Sequence, residues 1–435
     1  MVKEEARNLF EKFKQAVKDH HEFFGSSIPL IASENVTSMA VRRFYLSDFG
    51  CRYAEGKVGK RFYQGCMYID VVEDVAIKLT KMLFNSEHVN VQPISGVTAN
   101  IAAFFALAKP GDKVFSLSVP CGGHISHHRF SAAGIRGVEV VNYPFDMENL
   151  NIDVDKTRKL ALKEKPKVFV LGASLYLFPH PVEEIAEIAS EVDGRVMYDA
   201  SHVLGLIAGK QFHDPVPYSD VVTASTHKTF PGPQRAIILS RAELAKKVDN
   251  AVFPGVVSNH HLHSLAAYVV ACMEMLEFGE SYAKQIVRNA KALAEALHSL
   301  GFNVVGESLG FTESHQVAVD VSEFGGGDPV AKMFERINIV LNKNLLPWDD
   351  LTKTENPSGI RIGVQEVTRI GMKEEEMKLI AEMIADVLLD RKAPEKVAES
   401  VSELRREFPA NRIEYSFDSS SSYLAKKFVT KLLRL

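Results

Sequence analysis

Apolar runs alternate with helical patterns between residues 70 and 240, and this alternation predicts the fold. Six short runs are apolar almost without interruption, which is typical of strands buried on both faces. They occupy residues 113–117, 138–142, 167–171, 195–198, 220–223 and 235–240. Helical patterns cover 70–84, 97–109 and 182–191, and the segment 89–96 ends in a small turn. The pattern indicates an α/β fold with a parallel sheet covered by helices on both faces.

The segments outside this region predict an N-terminal helix and a second domain. Residues 4–24 repeat apolar side chains at helical spacing, and 264–300 are predicted to form two helices bent near Gly279. An α+β pattern follows, with strands at 315–321, 337–344 and 360–364, a flexible turn at 325–329 and a helix at 373–390. The serine run 419–422 is predicted to be a loop before a basic C-terminal helix. We expect an arm at 1–50, a large domain at 51–280 and a small domain at 281–435.

Composition and charge exclude several classes of protein. The 435 residues are 46% hydrophobic and 24% charged, and 51 basic residues nearly balance 55 acidic ones. Such a balance gives no electrostatic footprint for nucleic acid or for a membrane surface. No apolar run reaches the roughly 18 residues of a transmembrane helix, and the N-terminus has no signal-peptide core. The four cysteines form no C-x-x-C pair, so we expect reduced thiols and a cytoplasmic protein.

A lysine after a predicted strand carries the strongest chemical signal. Lys228 follows the apolar run 220–223 and stands among hydroxyl residues, and Asp199 follows another apolar run 29 residues upstream. A desolvated lysine loses its proton and becomes an amine nucleophile that forms Schiff bases. Such a lysine, with an aspartate for a pyridinium nitrogen, is what pyridoxal phosphate requires. Taken separately, the two residues could equally be a strand-end lysine and a helix N-cap.

Two other chemical interpretations have less support. The spacing from Ser225 to Lys228 fits the S-x-x-K motif of penicillin-binding acyl-enzymes, but Ser225 ends a strand and no K-T-G strand occurs. His124 and His127 invite a metal, but no third ligand has suitable spacing. A planar imidazole stacked on an aromatic cofactor fits His124 better. The histidines of 259–263 are interpreted as structural or substrate-related, and no metal is expected.

Further polar side chains follow the predicted strands or precede a helix. Ligands bind at the carboxyl ends of parallel strands, which meet at one edge of a sheet. The residues expected there are Ser174, Asp199, His202, Ser225 and Lys228. Ser95 and Gly96 lead into the helix predicted at 97–109, and free N–H groups and hydroxyls at that point suit a phosphate. A serine before a helix is, however, more often only a cap.

Ten short motifs occur in one order along the chain. They are LIASEN (30–35), YAEGKVGKR (53–61), YQG (63–65), VQPISG (91–96), GGHISH (122–127), YDASHVLGL (198–206), STHKTFPGP (225–233), VFPG (252–255), LNKN (341–344) and SGIRIG (358–363). Together they resemble serine hydroxymethyltransferase, a family of fold-type I pyridoxal phosphate enzymes, and its archaeal branch more than its bacterial one. The resemblance runs from about residue 28 to 390. It implies a mostly parallel seven-stranded sheet and a smaller C-terminal α+β domain.

The resemblance implies a cofactor role for each residue that matches a family motif. Lys228 would hold the cofactor as a Schiff base, Asp199 would keep its pyridine nitrogen protonated, and His124 would stack on its ring. Ser174 and His202 would bond near the ring oxygen. The other implied cofactor contacts are Ser95, Gly96 and the N–H of Val97 at the phosphate, together with Ser225.

The resemblance also implies a reaction and a subunit arrangement. Arg361 would clamp the substrate carboxylate, assisted by Ser33, while Glu55 as proton shuttle, with Tyr53 and Tyr63, would come from the neighbouring subunit of a homodimer. Serine and a reduced pterin would be converted reversibly to glycine and a methylene-pterin in one-carbon metabolism. Tetrahydrofolate and tetrahydromethanopterin are both candidate carriers. The implied pterin contacts are Val119, Gly123, Ile125 and Asn344.

Several stretches depart from the family pattern. Val97 replaces a serine of the phosphate loop, 256–259 replaces a glycine-rich loop, and Arg235 and Ala236 replace two glycines. Three stretches are expected to lie on the rim of the site, namely 234–236, 256–259 and 345–348. Their side chains are expected to favour a modified pterin as the carrier. Two other functions stay open. One is a pterin-independent aldolase for threonine-type amino acids, and the other is a catalytically silent homologue.

Overall fold

The computed structural model describes residues 2–419, and a seven-stranded sheet lies at its centre. In spatial order the strands are His88–Asn90, Ala236–Ser240, Val221–Ser225, Arg195–Asp199, Val168–Leu171, Lys113–Ser116 and Glu139–Asn142. Ala236–Ser240 runs antiparallel to both of its neighbours, and the other six strands are mutually parallel. The predicted α/β fold with a mostly parallel sheet is therefore confirmed.

Alternate residues of the central strands point into two separate cores. Val168 and Val170 belong to the core that contains Ala103, whereas Phe169 and Leu171 belong to the larger core on the other face. Each such side chain contributes about 1.5–3 kcal/mol by leaving water. Because both faces are covered, these strands are continuous apolar runs in the sequence rather than alternating ones.

Helices cover the sheet and build the rest of the molecule. Side-chain acceptors of Ser95 and Asp153 cap two of them at their N-termini. The α-helices of the described residues are Val2–Ser26, Met39–Arg43, Met67–Phe84, Gly96–Leu107, Ala132–Arg136, Val154–Glu164, Val182–Glu191, Leu204–Ala208, Ala245–Asn250, Leu262–Ser299, Gly327–Arg336, Gln365–Arg369, Glu374–Leu388 and Pro394–Glu407.

Leu262–Ser299 is one continuous helix, so the prediction of two separate helices in this segment is wrong. A Cβ on Gly209 would lie 2.4 Å from the Gly279 carbonyl oxygen, which shows how closely the two backbones approach. This approach requires glycine at position 209, whereas a Cβ on Gly279 itself would first meet the Met275 side chain of its own helix. Tertiary packing of the long helix outweighs the low helix propensity of Gly279. Among residues 2–419 this is the one helix long and apolar enough to cross a membrane, but most of it is buried inside the protein. The proposed domain boundary at residue 280 falls within it.

A second sheet has four antiparallel strands. Their spatial order is Asn303–Val304, Gln316–Asp320, Gly359–Gly363 and Asn342–Asn344. The predicted strand at 337–344 divides in two, because Ile339–Val340 pairs instead with Ile28–Pro29. The turn predicted at 325–329 contains the start of the helix Gly327–Arg336.

Two short hairpins complete the strands. Gly56–Lys57 pairs with Lys60–Arg61, and Phe145–Asp146 pairs with Asn151–Ile152. The first hairpin carries the motif that contains Glu55, and Phe62 returns a backbone hydrogen bond to the Glu55 carbonyl. The predicted C-terminal helix and residues 420–422 of the serine run lie outside the described residues.

Candidate active site

The strand ends of the central sheet meet at a cavity of about 200 Å³. Sequence reasoning missed four of its lining residues, and only Asn100 among them left a signal, as a polar side chain inside an apolar helix. The other three are Ala173, Ser201 and His227. Ser174 lies in an adjoining cavity. The other eight predicted cofactor contacts line the first cavity, namely Ser95, Gly96, Val97, His124, Asp199, His202, Ser225 and Lys228.

Lys228 is buried just beyond the strand Val221–Ser225. Asn35 holds its backbone by donating from Nδ2 to the Lys228 carbonyl oxygen at 2.6 Å. Burial lowers the pKa of Lys228 to about 8, while nearby Asp199 opposes the shift and Arg361 adds to it. A lysine with this pKa supplies the neutral amine that Schiff-base chemistry needs.

Asp199 ends the neighbouring strand as a buried carboxylate with three hydrogen-bond donors. Oδ2 accepts from Asn100 Nδ2 at 2.8 Å and from His127 Nε2 at 3.1 Å, and Oδ1 accepts from the Ser201 N–H at 3.0 Å. Burial raises the pKa of Asp199, but the hydrogen bond from His127 helps to outweigh it and hold the pKa well below its usual range. The carboxylate therefore stays ionised, which suits a partner for a protonated ring nitrogen.

His124 lines both cavities, and its ring is neutral. Nδ1 accepts from the Ser126 N–H at 3.2 Å, so the ring proton lies on Nε2. Burial, reinforced by His127, lowers the pKa of His124 to about 4. His127 is occupied by Asp199, and no group of three or more His, Cys, Asp or Glu within residues 2–419 is arranged to hold a metal.

The turn before the helix Gly96–Leu107 has the donors of an anion site. Ser95 caps the helix, with its Oγ accepting from the Thr98 N–H at 3.3 Å. A Cβ at Gly96 would lie 2.5 Å from the Ser225 hydroxyl oxygen, so any larger residue there would displace the Ser225 side chain that lines the cavity. The Thr98 hydroxyl bonds to Ser95 at 2.9 Å and does not line the cavity, so it does not replace the hydroxyl that is absent at Val97.

Gln316, which sequence reasoning missed, fixes the tautomer of His202. Its Oε1 accepts from the Tyr176 N–H at 2.8 Å, while Nε2 donates to the Ser174 carbonyl at 3.0 Å and to His202 Nδ1 at 2.9 Å. The two backbone partners orient the amide, so His202 carries its proton on Nε2. Burial, with nearby Lys228, holds the pKa of His202 well below its usual range. A neutral donor of this kind suits a ring oxygen.

Arg361 is a buried guanidinium without a carboxylate partner among residues 2–419. Its Nη1 donates to the Ser174 carbonyl at 2.6 Å, and its Nε donates to Asn342 Oδ1 at 3.2 Å. Burial lowers the pKa of Arg361 to about 10, because no anion offsets the loss of water. A buried, uncompensated cation beside Lys228 is suited to receive the carboxylate of a ligand.

The loop that contains Ser33 is fastened to the strand of Arg361. Gln365, two residues beyond that strand, donates from Nε2 to the carbonyl oxygens of Ile31 at 2.7 Å and of Glu34 at 2.6 Å. The structure therefore ties the loop that contains Ser33 to the segment that directly follows the strand of Arg361.

Comparisons with known proteins agree with this geometry. The family model for serine hydroxymethyltransferase matches residues 7–384. A serine hydroxymethyltransferase of Archaeoglobus fulgidus is 65% identical over 410 residues, which are 94% of this chain and 93% of that protein. This chain belongs to the serine hydroxymethyltransferase family.

Other relatives extend the match. The serine hydroxymethyltransferase of Methanocaldococcus jannaschii is 56% identical over 94% of this chain and 96% of its own length. Among solved structures, L-threonine transaldolase from Pseudomonas fluorescens in its internal aldimine state aligns with a TM-score of 0.87 at 30% identity, over 99% of this chain and 98% of that one. The fold is fold-type I, and pyridoxal phosphate is the cofactor of this family of transferases. The cavity fits that cofactor, because it offers an amine, an ionised carboxylate and a glycine-lined anion turn.

Three residues with predicted roles in serine hydroxymethyltransferase chemistry do not line the Lys228 cavity within one chain. They are Tyr53, Glu55 and Tyr63. The Glu55 carboxylate accepts hydrogen bonds from the hydroxyls of Tyr53, at 3.1 Å, and of Ser258. The rings of Tyr53 and Tyr63 lie 4.8 Å apart, and both are exposed. These side chains form a separate cluster, as residues that serve a neighbouring site would.

The four predicted pterin contacts line the adjoining cavity, whose volume is about 260 Å³. A Cβ at Gly123 would lie 2.1 Å from the Leu117 carbonyl oxygen, so only glycine fits there. Because His124 lines both cavities, a pterin in this one would lie against the cofactor site. The four residues are Val119, Gly123, Ile125 and Asn344.

Two departures from the serine hydroxymethyltransferase pattern do not lie where the sequence suggested. Arg235 is 0% exposed, and burial lowers its pKa to about 10, so it is not a rim residue. Ser258 lies beside Glu55 rather than at the second cavity, which Leu345 does line. The departure at 235 therefore places a guanidinium in the protein interior and not on the wall of either cavity. The guanidinium of Arg235 donates to the carbonyl oxygens of Val91 and His261 and to the hydroxyl oxygen of Ser264.

Proposed function

We propose that this protein interconverts serine and glycine in one-carbon metabolism, exchanging a one-carbon unit with a reduced pterin in a cavity shared between two subunits. The observation that carries the proposal is Arg361, a buried guanidinium beside Lys228 for which residues 2–419 supply no counter-charge. An α-amino acid brings both a carboxylate for the guanidinium and an amino group for exchange with the lysine. A substrate without a carboxylate would leave this cation unpaired at a cost of several kcal/mol.

Each residue around the first cavity has a task in this proposal. Bound pyridoxal phosphate supplies an electron sink for the bond that breaks at the substrate α-carbon. Lys228 would hold the cofactor covalently, and Asp199 would keep a proton at its ring nitrogen. His124 would stack on the ring, and His202, with Ser174 and Ser225, would supply hydrogen-bond donors to the cofactor. Ser95, Gly96 and the N–H of Val97 hold the phosphate at the helix N-terminus.

Glu55 is proposed to move a proton at the substrate hydroxyl from the neighbouring subunit, with Tyr53 and Tyr63 beside it. Two exposed apolar surfaces support a homodimer. One is the N-terminal helix Val2–Ser26, none of whose residues is buried. The other includes Phe62, which is 70% exposed next to the Tyr53–Tyr63 pair. In the proposed homodimer a second subunit covers these surfaces, and Glu55 serves the partner's Lys228 cavity.

The second cavity is proposed to hold the pterin, with Asn344 as its polar contact and Val119 and Ile125 as its apolar walls. The carrier is proposed to be a modified pterin of the methanopterin type at least as readily as tetrahydrofolate. The support for this choice is Leu345, which adds an apolar side chain to the cavity. A cytoplasmic location is proposed from the reduced cysteines, of which Cys66 and Cys272 are buried.

A serine-cleavage assay with and without each reduced pterin tests the function. We expect glycine formation to depend on the pterin, and tetrahydromethanopterin to match or exceed tetrahydrofolate in kcat/KM. A preference for tetrahydrofolate of about tenfold, or 1.4 kcal/mol, would contradict the choice of carrier. Rapid cleavage of threonine with no effect of any pterin would favour an aldolase instead, which the likeness to L-threonine transaldolase makes the second candidate.

A further inference from the structure

The backbone on both sides of Glu55 is held by a buried network that local sequence does not reveal. Arg61 Nη1 donates to the Gly56 carbonyl at 2.7 Å and to the Ala54 carbonyl at 3.5 Å. Arg61 Nη2 also pairs with the buried carboxylate of Glu73 at 2.6 Å. One guanidinium therefore holds the carbonyl groups of the two residues adjacent to Glu55, and the buried charge of Glu73 fixes the position of that guanidinium.

Gln92 joins this network from the opposite side. Its Nε2 donates to the Gly56 carbonyl at 2.9 Å and to Glu73 Oε1 at 2.8 Å. Both partners are acceptors, so the amide has one possible orientation. The Gly56 carbonyl thus has two donors, Gln92 and Arg61, and the position of Glu55 depends on both.

The same glutamine stands three residues before the phosphate-binding turn. Gln92 is followed by Pro93 and Ile94 and then by Ser95, which caps the helix at the cofactor cavity. The Pro93 carbonyl accepts from the Ala236 N–H at 3.1 Å, which fastens this stretch to the central sheet. One short segment therefore touches two functional elements, the anion turn of its own chain and the Glu55 loop.

We propose that Gln92 is a positioning residue for Glu55, acting through the Gly56 carbonyl and Glu73, and that it thereby supports the active site of the neighbouring subunit rather than its own. The inference rests on the proposed function, in which Glu55 acts across the subunit interface. A residue three positions before the phosphate turn would ordinarily be assigned to the site of its own chain. The hydrogen bonds of its side chain lead to Glu55 instead.

Gln92→Met removes the amide and keeps the length of the side chain. We expect kcat for pterin-dependent serine cleavage to fall about tenfold or more, as for a displaced catalytic group, with KM for serine and the Kd of the cofactor within about threefold. Gln285→Met is the matched control. Gln285 is also a buried glutamine, and its Nε2 donates to the side-chain oxygen of Asn289 and to the carboxylate of Glu374. We expect this control to leave kcat unchanged.

Hybrid dimers decide which site Gln92 supports. Two affinity tags isolate dimers with one Lys228→Ala subunit and one Gln92→Met subunit. The surviving site combines Lys228 of the Gln92→Met subunit with Glu55 of the Lys228→Ala subunit. In that second subunit Gln92 is intact. We expect this hybrid to equal the wild-type/Lys228→Ala hybrid, which has about half the wild-type activity because one of its two sites works. An activity reduced as in the Gln92→Met homodimer would overturn the proposal, because Gln92 would then act on its own phosphate turn.

A parallel hybrid separates this inference from the function on which it rests. Glu55→Gln paired with Lys228→Ala tests the shared site alone, so its failure to recover would contradict the shared site. If the Glu55→Gln hybrid recovers activity but the Gln92→Met hybrid does not, only the role of Gln92 is overturned. An unchanged kcat in the Gln92→Met homodimer would also overturn that role. If Gln92→Met does not fold, Arg61→Lys keeps the charge beside Glu73, removes the second donor to Gly56 and is expected to give the same hybrid pattern.

Discussion

His127 donates a hydrogen bond from Nε2 to Oδ2 of Asp199 at 3.1 Å, although 72 positions separate the two residues in the sequence. This contact gives the second histidine of the GGHISH motif a function that requires no metal. Together with Asn100, it keeps the Asp199 carboxylate ionised inside the protein. The affinity of the site for the cofactor therefore depends on His127, which does not line the cofactor cavity.

His127→Phe keeps a ring and removes the donor. Because a hydrogen bond to a charged group is worth about 1.5–3 kcal/mol, we expect the Kd for pyridoxal phosphate to rise about tenfold or more. Titration of the cofactor-free protein, followed by fluorescence, measures this change. His128→Phe is the control, because His128 is the adjacent residue and has no hydrogen bond to Asp199. Equal effects of the two variants would contradict the role of His127.

The pKa of Lys228 makes stability depend on pH. In the cofactor-free protein this pKa is lowered from 10.5 to about 8, so between these values the unfolded chain binds more protons than the folded one. Stability should therefore rise with pH across this window, by on the order of 3 kcal/mol from this group. Lys228→Met should remove that increment. Denaturant unfolding at a series of pH values measures it, and an identical pH dependence in both proteins would contradict the lowered pKa.

Arg361→Lys keeps the charge and loses the planar fork. We expect KM for serine and the Kd for glycine to rise more than tenfold, on the order of 1.5–3 kcal/mol, with cofactor content unchanged. Steady-state kinetics and a glycine titration followed by absorbance measure the two constants. Unchanged values for both ligands would show that Arg361 does not bind the substrate carboxylate.

Glu55→Gln keeps the shape of the side chain but cannot exchange a proton at neutral pH. We expect pterin-dependent transfer to fall about 100-fold, while cofactor binding is retained. The hybrid with Lys228→Ala should recover activity, because its surviving site contains an intact Glu55. Retained transfer in the Glu55→Gln homodimer would assign the proton to another group.

The sequence predicted the sheet well because strands covered on both faces leave an unambiguous signal. The run VFVL at 168–171 is apolar throughout and is a buried strand, and Lys228 and Asp199 follow such runs directly. A residue that directly follows a parallel strand lies at the carboxyl edge of the sheet. The local sequence was therefore enough to place Lys228 and Asp199 there.

The residues that hold the site in place could not be predicted in the same way. Gln316 reaches His202 from 114 positions away, and Asn35 reaches Lys228 from 193, so no local pattern joins them. Gly279 misled the prediction, because its low helix propensity is overridden by the packing of the long helix in which it is buried. The sequence placed Arg235 on the rim of the site near Lys228. The structure shows it buried, with its guanidinium hydrogen-bonded inside the protein.

The central claim is that Lys228 is the covalent anchor of pyridoxal phosphate beside Asp199. Reduction of the purified protein with borohydride, followed by peptide mapping, tests it directly. We predict a single pyridoxyl-modified peptide, with the modification on Lys228 of the STHKTFPGP motif, and no modification in Lys228→Ala. A pyridoxyl group on any other lysine, or modification that survives in Lys228→Ala, would contradict the account.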